Sequence, residues 1–540
     1  MPLLFERHVP GFTLVTGPAD RFNRPTMPVT SATEIPPPRA GLRTALWHDR
    51  LDRASGALLI AAVLFAPWAF GGTPAWAITA LNAAGYAAGA LLLVKLGLRW
   101  FLGHQPPRWE SRHPSQGIAG RLARVWAPTL GVLTLLILIY CALSALNARA
   151  DYDPELGTFQ YRRAFVPWLP HSYDASRSWQ TFARVLALAC WFWAARDWLL
   201  GKTMADRREL HRWDPNGNAG LLVPRRLQLL LWILSLNGAI LAAEALLQRA
   251  SGTEKLLWLV RPRLNAVPEA QLGPFNYRSN GAQYLNLVWP VTLGLWWRLH
   301  HLRRFQRRTA GNSGRVRYSR AHHVLLPAAG LMAATSVFSL SRGGAAGAVG
   351  AMIAVLVIFW VGWRSRRARV RLAMLGFGGL SVGLGLWLGG QALFQRFETL
   401  DEGWVQRETM YDTARRMARD FPWFGTGPGT LGPVFQIYRK STEEYWPAQL
   451  HNDWLEYRVT WGRVGMGLLL LAFGWVCVRY FLPGGVITSW RLPLLYAVAL
   501  GGCLLHARWD FPLQIYSIQQ LVLLHCAALS LFSHPRWGAA

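Results

Sequence analysis

Apolar runs of about twenty residues recur along this chain of 540 residues, separated by shorter polar stretches. Runs of that length are what the hydrocarbon core of a bilayer demands, and core helices of soluble domains seldom sustain them. Read in order, they predict spans at about 56–72, 75–97, 126–147, 179–200, 227–248, 281–298, 324–341, 344–362, 372–390, 462–481, 491–508 and 513–533. One stretch breaks the rhythm. Residues 391–461 are polar and charged between the ninth and tenth spans, which predicts a large, partly helical loop outside the membrane. The expected fold class is therefore all-α, a polytopic membrane protein of about 12 transmembrane helices with that loop between helices 9 and 10. The expected order is a tail over 1–55, nine helices over 56–390, the loop over 391–461, three helices over 462–533 and a short tail over 534–540.

Composition agrees: the chain is 52% hydrophobic, only 16% charged, and carries 29 Trp. A formal charge of +29 would also suit a nucleic-acid binder. Such a binder needs one continuous basic patch, whereas here the basic residues are divided among the segments between apolar runs. With the N-terminus in the cytoplasm, loops 98–125, 201–226, 299–323 and 363–371 all fall inside. Three of these hold dense clusters, at Arg207, Arg208, Arg225 and Arg226, at Arg303, Arg304, Arg307 and Arg308, and at Arg364, Arg366, Arg367 and Arg369. Loops 148–178, 249–280 and 391–461 fall outside and mix Asp and Glu with their basic residues. This is the asymmetry of the positive-inside rule, and it predicts cytoplasmic termini with the large loop on the opposite face. The first fifty residues, with Pro36, Pro37 and Pro38, lack periodicity and the charge, apolar run and cleavage-site order of a signal peptide. They predict a disordered cytoplasmic tail. Cys141, Cys190, Cys477, Cys503 and Cys526 sit in or against the spans, without metal-ligand spacing, as packing residues.

Few residues are placed to do chemistry. Between Val324 and Trp360 nearly everything is apolar or small except Arg342. An arginine at mid-helix costs about 2.5–3.5 kcal/mol on insertion scales, so two helices meeting at a tight outer turn is the cheaper arrangement, and Gly343 and Gly344 would permit it. Arg342 then either reaches headgroups or binds an anion such as a phosphate. Residues 404–421 predict an amphipathic helix with Arg407, Met410, Tyr411, Ala414, Met417, Ala418 and Phe421 on one face. Arg407 shares the apolar stripe and so requires an anionic partner, either an acidic side chain or a substrate. The Gly- and Pro-rich run 422–430 predicts a loop folding back over the membrane face. His451 follows, with an unperturbed pKa of about 6.5 that suits a general base at neutral pH, although a lone histidine at a membrane interface also serves structural ends. Asp510, between Arg508 and Phe511, reads as a structural brace paired with Arg508 or another basic residue.

In this order these pieces resemble the O-antigen ligase and polymerase superfamily. The resemblance rests on Asn276-Tyr277-Arg278-Ser279-Asn280 with Tyr284 and Leu285, on Ser341-Arg342-Gly343, on Arg407 followed by 422–429, on His451-Asn452-Asp453, and on Asp510-Phe511-Pro512-Leu513. It covers about 225–535. It implies a membrane glycosyltransferase that needs no metal or cofactor, working at the periplasmic face of the bacterial inner membrane on a glycan carried by undecaprenyl diphosphate. Arg342 and Arg407 would bind the donor diphosphate, and His451 would deprotonate the acceptor hydroxyl with inversion at the anomeric carbon. Arg278 and Asn280 would be further substrate contacts, though the string here departs from that of many relatives. Trp446 and Trp454, flanking His451, suit stacking on sugar faces. The acceptor implied is the lipid A core, with a growing glycan or a protein hydroxyl as alternatives. From another class, a lipid-linked sugar flippase would also have many spans, but would carry its ionisable residues near the bilayer midplane.

Overall fold

The computed structural model describes residues 39–110, 117–213, 223–309, 321–361, 376–387, 400–439 and 448–534. Helices occupy all twelve positions where an apolar run predicts a span. They are α1 (Arg39–Trp68), α2 (Ala75–Phe101), α3 (Ile118–Leu146), α4 (Ala175–Leu200), α6 (Arg225–Ala250), α7 (Arg278–Thr309), α8 (Leu325–Phe338), α9 (Arg342–Val361), α10 (Gly376–Trp387), α14 (Gly462–Val478), α15 (Arg491–His506) and α16 (Tyr516–Leu529). Four further helices lie between them: α5 (Met204–Trp213), α11 (Leu400–Asp420), α12 (Leu431–Tyr438) and α13 (Asp453–Thr460).

Seven of these helices are long and apolar enough to cross a membrane: α1, α2, α3, α6, α8 with its preceding turn, α9 and α14. Helices α10, α15 and α16 are apolar but shorter. The two long helices outside both groups, α4 and α7, carry more polar residues. For α7 the reason is its position. Every residue from Ser279 to Leu299 is buried, because α6, α8, α9, α15 and α16 pack around it. A helix enclosed by protein need not present an apolar surface to lipid, so it can hold Asn280, Gln283, Asn286 and Thr292 inside the bundle. Two small strand pairs depart from a purely helical chain. Ala150–Asp153 pairs antiparallel with Thr158–Tyr161, and Val486–Ile487 runs parallel to Phe532–Ser533.

One end of the bundle is tied by buried charge. Lys95 of α2 is fully buried, with its ammonium 3.1 Å from Asp52 of α1 and 2.9 Å from Asp197 of α4. Asp197 also receives Arg99 at 2.6 Å and Arg108 at 2.7 Å, and Asp52 pairs with Arg226 of α6. Each carboxylate thus neutralises several cations that could not otherwise leave water.

At the other end, α11 is amphipathic as the sequence predicts. Tyr411, Ala414, Met417 and Ala418 are buried, while Arg415 and Arg419 are exposed. Its apolar stripe forms a small second core with Leu431, Val434 and Phe435 of α12 and Val459 of α13. The Gly- and Pro-rich run then folds back onto the junction of α13 and α14. Thr426 donates its amide to Val459, and Gly427 to Thr460, at 2.9 and 3.0 Å. The backbones meet so closely that a Cβ on Gly425 (φ +70°) would lie 2.5 Å from the carbonyl carbon of Thr460, and one on Gly462 (φ +62°) 2.3 Å from the oxygen of Trp423. Only glycine accommodates both that approach and the left-handed backbone.

Candidate active site

Asn452 caps α13, its side chain accepting the Leu455 amide at 3.1 Å. The Asp453 amide donates to the carbonyls of Ala507 and Asp510 at 2.8 and 3.2 Å, so the start of α13 is laced to the turn that leaves α15. His451, just before the cap, adopts φ +52°, a left-handed conformation uncommon for histidine. The Tyr411 hydroxyl holds its carbonyl at 2.9 Å. The outcome is that His451 Nδ1 lies 3.2 Å from Asp510 Oδ1, with the imidazole 27% exposed and the carboxylate 7%. Tyr277 and Phe511, stacked on each other at 5.2 Å, present their rings edge-to-face to the imidazole at 5.8 and 4.8 Å. With Nδ1 turned to a carboxylate, the neutral ring carries its proton there and leaves the Nε2 lone pair to accept another.

Asp510 has several partners. Its Oδ2 accepts from the Ser279 hydroxyl and, at 3.4 Å, from Tyr277, while Oδ1 also takes the Phe511 amide at 3.0 Å. His506 Nε2 lies 3.7 Å from Oδ2. Burial works to raise this carboxyl, but the hydrogen bond from His451, the charges of His506 and His451 and the Ser279 bond outweigh it and hold it down at about 2. Of the partners expected for Asp510, Arg508 is exposed and makes no ion pair with it, and the basic residues beside the carboxylate are His451 of the loop and His506.

Ser279 connects this centre to α9. Its hydroxyl contacts His506 Nε2 and receives the Ser341 hydroxyl, both at 3.1 Å, and Ser341 in turn caps the Gly344 amide at 3.0 Å. Arg342 follows Ser341 as the first residue of α9, half-buried, after the tight turn the sequence predicts. The left-handed residue of that turn is Leu340, at φ +60°. Gly343 and Gly344 are helical and serve close packing instead, since a Cβ on Gly343 would meet His506 Nε2 at 2.5 Å and one on Gly344 would meet Ala282 Cβ at 2.6 Å.

Arg407 reaches the same place from α11. It lies one helical turn before Tyr411 and donates to the carbonyl of Trp509, next to Asp510, at 2.9 Å. Among the described residues it has no carboxylate within 4.0 Å, so its ion-pair alternative is not realised there. Arg278 opens α7 and donates to the Glu269 carbonyl at 2.6 Å. Asn280 is 3% exposed, and its Oδ1 has no hydrogen-bond partner among the described residues. The Trp454 indole donates to the Leu504 carbonyl at 2.9 Å and lines an apolar cavity. Trp446 lies outside the described residues.

The acidic residues after His451 hold the frame. Asp453 accepts from the Leu513 amide at 2.7 Å and the Gln514 side chain at 3.0 Å, and Glu456 accepts the Leu450 amide at 2.9 Å. Burial pushes the Asp453 carboxyl well up and that of Glu456 up to about 7. Sequence reasoning did not single out Ser279, Tyr277, Tyr411 or His506 for a role. Ser279 and Tyr277 lie in the quoted string, and Tyr411 on the stripe of α11, so each carried a signal. His506 lies within an apolar run and carried none.

Comparison with known families supports the resemblance read from the sequence. Residues 327–471 match the family model described as O-antigen ligase. The matched stretch holds Arg342, Arg407 and His451, and the similarity is to membrane glycosyltransferases of the O-antigen ligase and polymerase type. No curated protein matches the chain.

Proposed function

From that match, and from a histidine oriented by a buried aspartate beside an arginine without a carboxylate partner among the described residues, we propose that the protein transfers a glycan from undecaprenyl diphosphate to an acceptor hydroxyl at the periplasmic face of the inner membrane. The observation that carries this reading is the His451–Asp510 contact at 3.2 Å, with Arg407 bonded to the residue next to Asp510. His451 Nε2 takes the acceptor proton as the acceptor oxygen bonds to the anomeric carbon. The bond from that carbon to the diphosphate breaks on the opposite side, so the configuration inverts and undecaprenyl diphosphate leaves. Arg407 and Arg342 meet the charge that develops on the leaving group, with two planar guanidinium forks suited to phosphate oxygens. Asp510 holds the imidazole tautomer and balances the imidazolium that forms. Asn280, whose Oδ1 has no partner among the described residues, and the half-buried Arg278 supply further contacts to the substrate. Trp446 would stack on a sugar face, whereas Trp454 lines the apolar cavity.

The test is the lipopolysaccharide of a strain lacking this gene, complemented with wild type or with His451→Ala. Loss of a positioned general base costs about 10²–10⁴ in rate, so the polymer ladder should return with wild type alone while both proteins reach the membrane in equal amount. Bare core in the mutant assigns a ligase, and a core carrying one repeat assigns a polymerase. An unchanged ladder in the deletion strain removes lipopolysaccharide as the product, and glycoprotein or exopolysaccharide would be analysed next.

A second measurement addresses the diphosphate. Arg342→Lys keeps the charge and loses the planar fork, so binding of the polyprenyl diphosphate donor should weaken with the fold intact. Unaltered donor affinity would take Arg342 out of the site.

A further inference from the structure

Two cavities lie against α13 beside the candidate active site and share a wall. One, of about 400 Å³, is polar, with Gln180, Thr181 and Arg184 of α4, Gln449, Glu456 and Gln519 in its lining. The other, of about 500 Å³, is apolar and includes Phe192 of α4, Leu469 and Phe473 of α14, and Val522 of α16. Val185, Leu188, Tyr457, Trp461 and Gln519 line both. Helix α4 shows how they are ordered: Arg177 to Arg184 face the polar cavity, and Val185 to Phe192 continue into the apolar one. The polar cavity is thus at the end of α4 that meets the glycine-rich loop, where Gly429 joins its lining, and the apolar cavity runs down the bundle.

Arg184 is the residue that asks for a ligand. Its Nη1 reaches the Gln514 carbonyl only at 3.5 Å, and its guanidinium lies 5.9 Å from the Tyr516 ring. Its Nε is buried without a hydrogen-bond partner, and among the described residues no carboxylate lies within ion-pair distance. Gln519 Oε1, on the shared wall, is likewise without a partner. Lys95, buried elsewhere in the bundle, is matched by Asp52 and Asp197. An unmatched guanidinium in a polar cavity costs free energy that a bound anion removes. The adjoining apolar cavity then specifies that the anion carries hydrocarbon.

We infer that the two cavities together hold one anionic phospholipid of the surrounding membrane, its phosphate on Arg184 and its acyl chain in the apolar cavity, separate from the Arg342 and Arg407 site. Gln180 and Thr181 are positioned to bond the rest of the head group. Glu456, which shares the cavity, is held by the Leu450 amide, and burial raises its carboxyl to about 7, so it can stand near a phosphate in its neutral form. The inference does not depend on the chemistry proposed for His451.

Native mass spectrometry of the full chain in mild detergent, titrated with phosphatidylglycerol, tests this. One equivalent should bind, and Arg184→Gln should weaken it by about tenfold, the loss of one charge-assisted bond. His451→Ala should bind as wild type does. Unchanged affinity in Arg184→Gln, or equal binding of zwitterionic phosphatidylcholine, overturns the assignment. Should Arg184→Gln fail to fold, Ala189→Trp fills the apolar cavity and leaves the guanidinium in place; lost binding there supports the proposal, and retained binding overturns it. Undecaprenyl phosphate is the last arm. If it displaces the phosphatidylglycerol, the cavities belong to the polyprenyl carrier, and a separate phospholipid site is excluded.

Discussion

Asp510→Asn is expected to lower glycan transfer by about 10²–10⁴ with no loss of folded protein. The substitution preserves shape and part of the surrounding bonding, since the amide oxygen can still accept from Ser279 in one orientation or from the Phe511 amide in the other. What changes is the histidine. An asparagine that turns its NH₂ to His451 Nδ1 forces the imidazole proton onto Nε2, the position that must be vacant to take the acceptor proton. An asparagine that turns its oxygen instead keeps the tautomer but no longer balances the imidazolium. Both orientations disable the base, so the fall should appear in kcat, with donor affinity unchanged. Transfer at the wild-type rate would reduce Asp510 to the brace that the sequence suggested. The carboxylate also links stability to pH. Its folded value of about 2 lies below the ordinary 3.8, so its contribution is present above 3.8 and is lost as pH falls toward 2.

The second large effect concerns the opposite end of the bundle. Asp197→Ala is expected to cost about 3–5 kcal/mol of stability, the range for breaking a buried ion pair. Asp197 is 7% exposed and faces Lys95, Arg99 and Arg108, so its removal leaves three cations to share Asp52 and what water can enter. Size-exclusion profiles after heating steps should show the mutant aggregating well below wild type. Asp49→Ala, which removes the exposed pair with Arg53, should leave the profile in place. Matching profiles for Asp197→Ala and wild type would mean that the cluster is solvated in the membrane and contributes little.

Helix positions were legible in the sequence because their signals are local. Length and apolarity place twelve helices, a period of 3.6 marks the buried stripe of α11 from Tyr411 to Ala418, and the small polar break at 339–343 marks the turn between α8 and α9. Residue chemistry singled out Arg342, Arg407 and His451, since a guanidinium in an apolar stretch and a histidine beside a cap are exceptional wherever the chain folds. Partnership was not legible. For Asp510 the sequence offers Arg508, two residues away, or another basic residue of the loop without choosing between them, and the carboxylate turns inward to His451, 59 residues away, and to Ser279, 231 residues away. Lys95 within an apolar run gives no hint of the two aspartates that hold it, and the run at 281–298 predicts a span without saying that α6, α8, α9, α15 and α16 close around it. The sequence alone therefore determined where helices form and which side chains are chemically exceptional, because both follow from a residue and its near neighbours. Which of those side chains meet was decided by the packing of α7, α9, α11, α13 and α15, whose relative placement depends on the shape of whole faces and is written in no single segment.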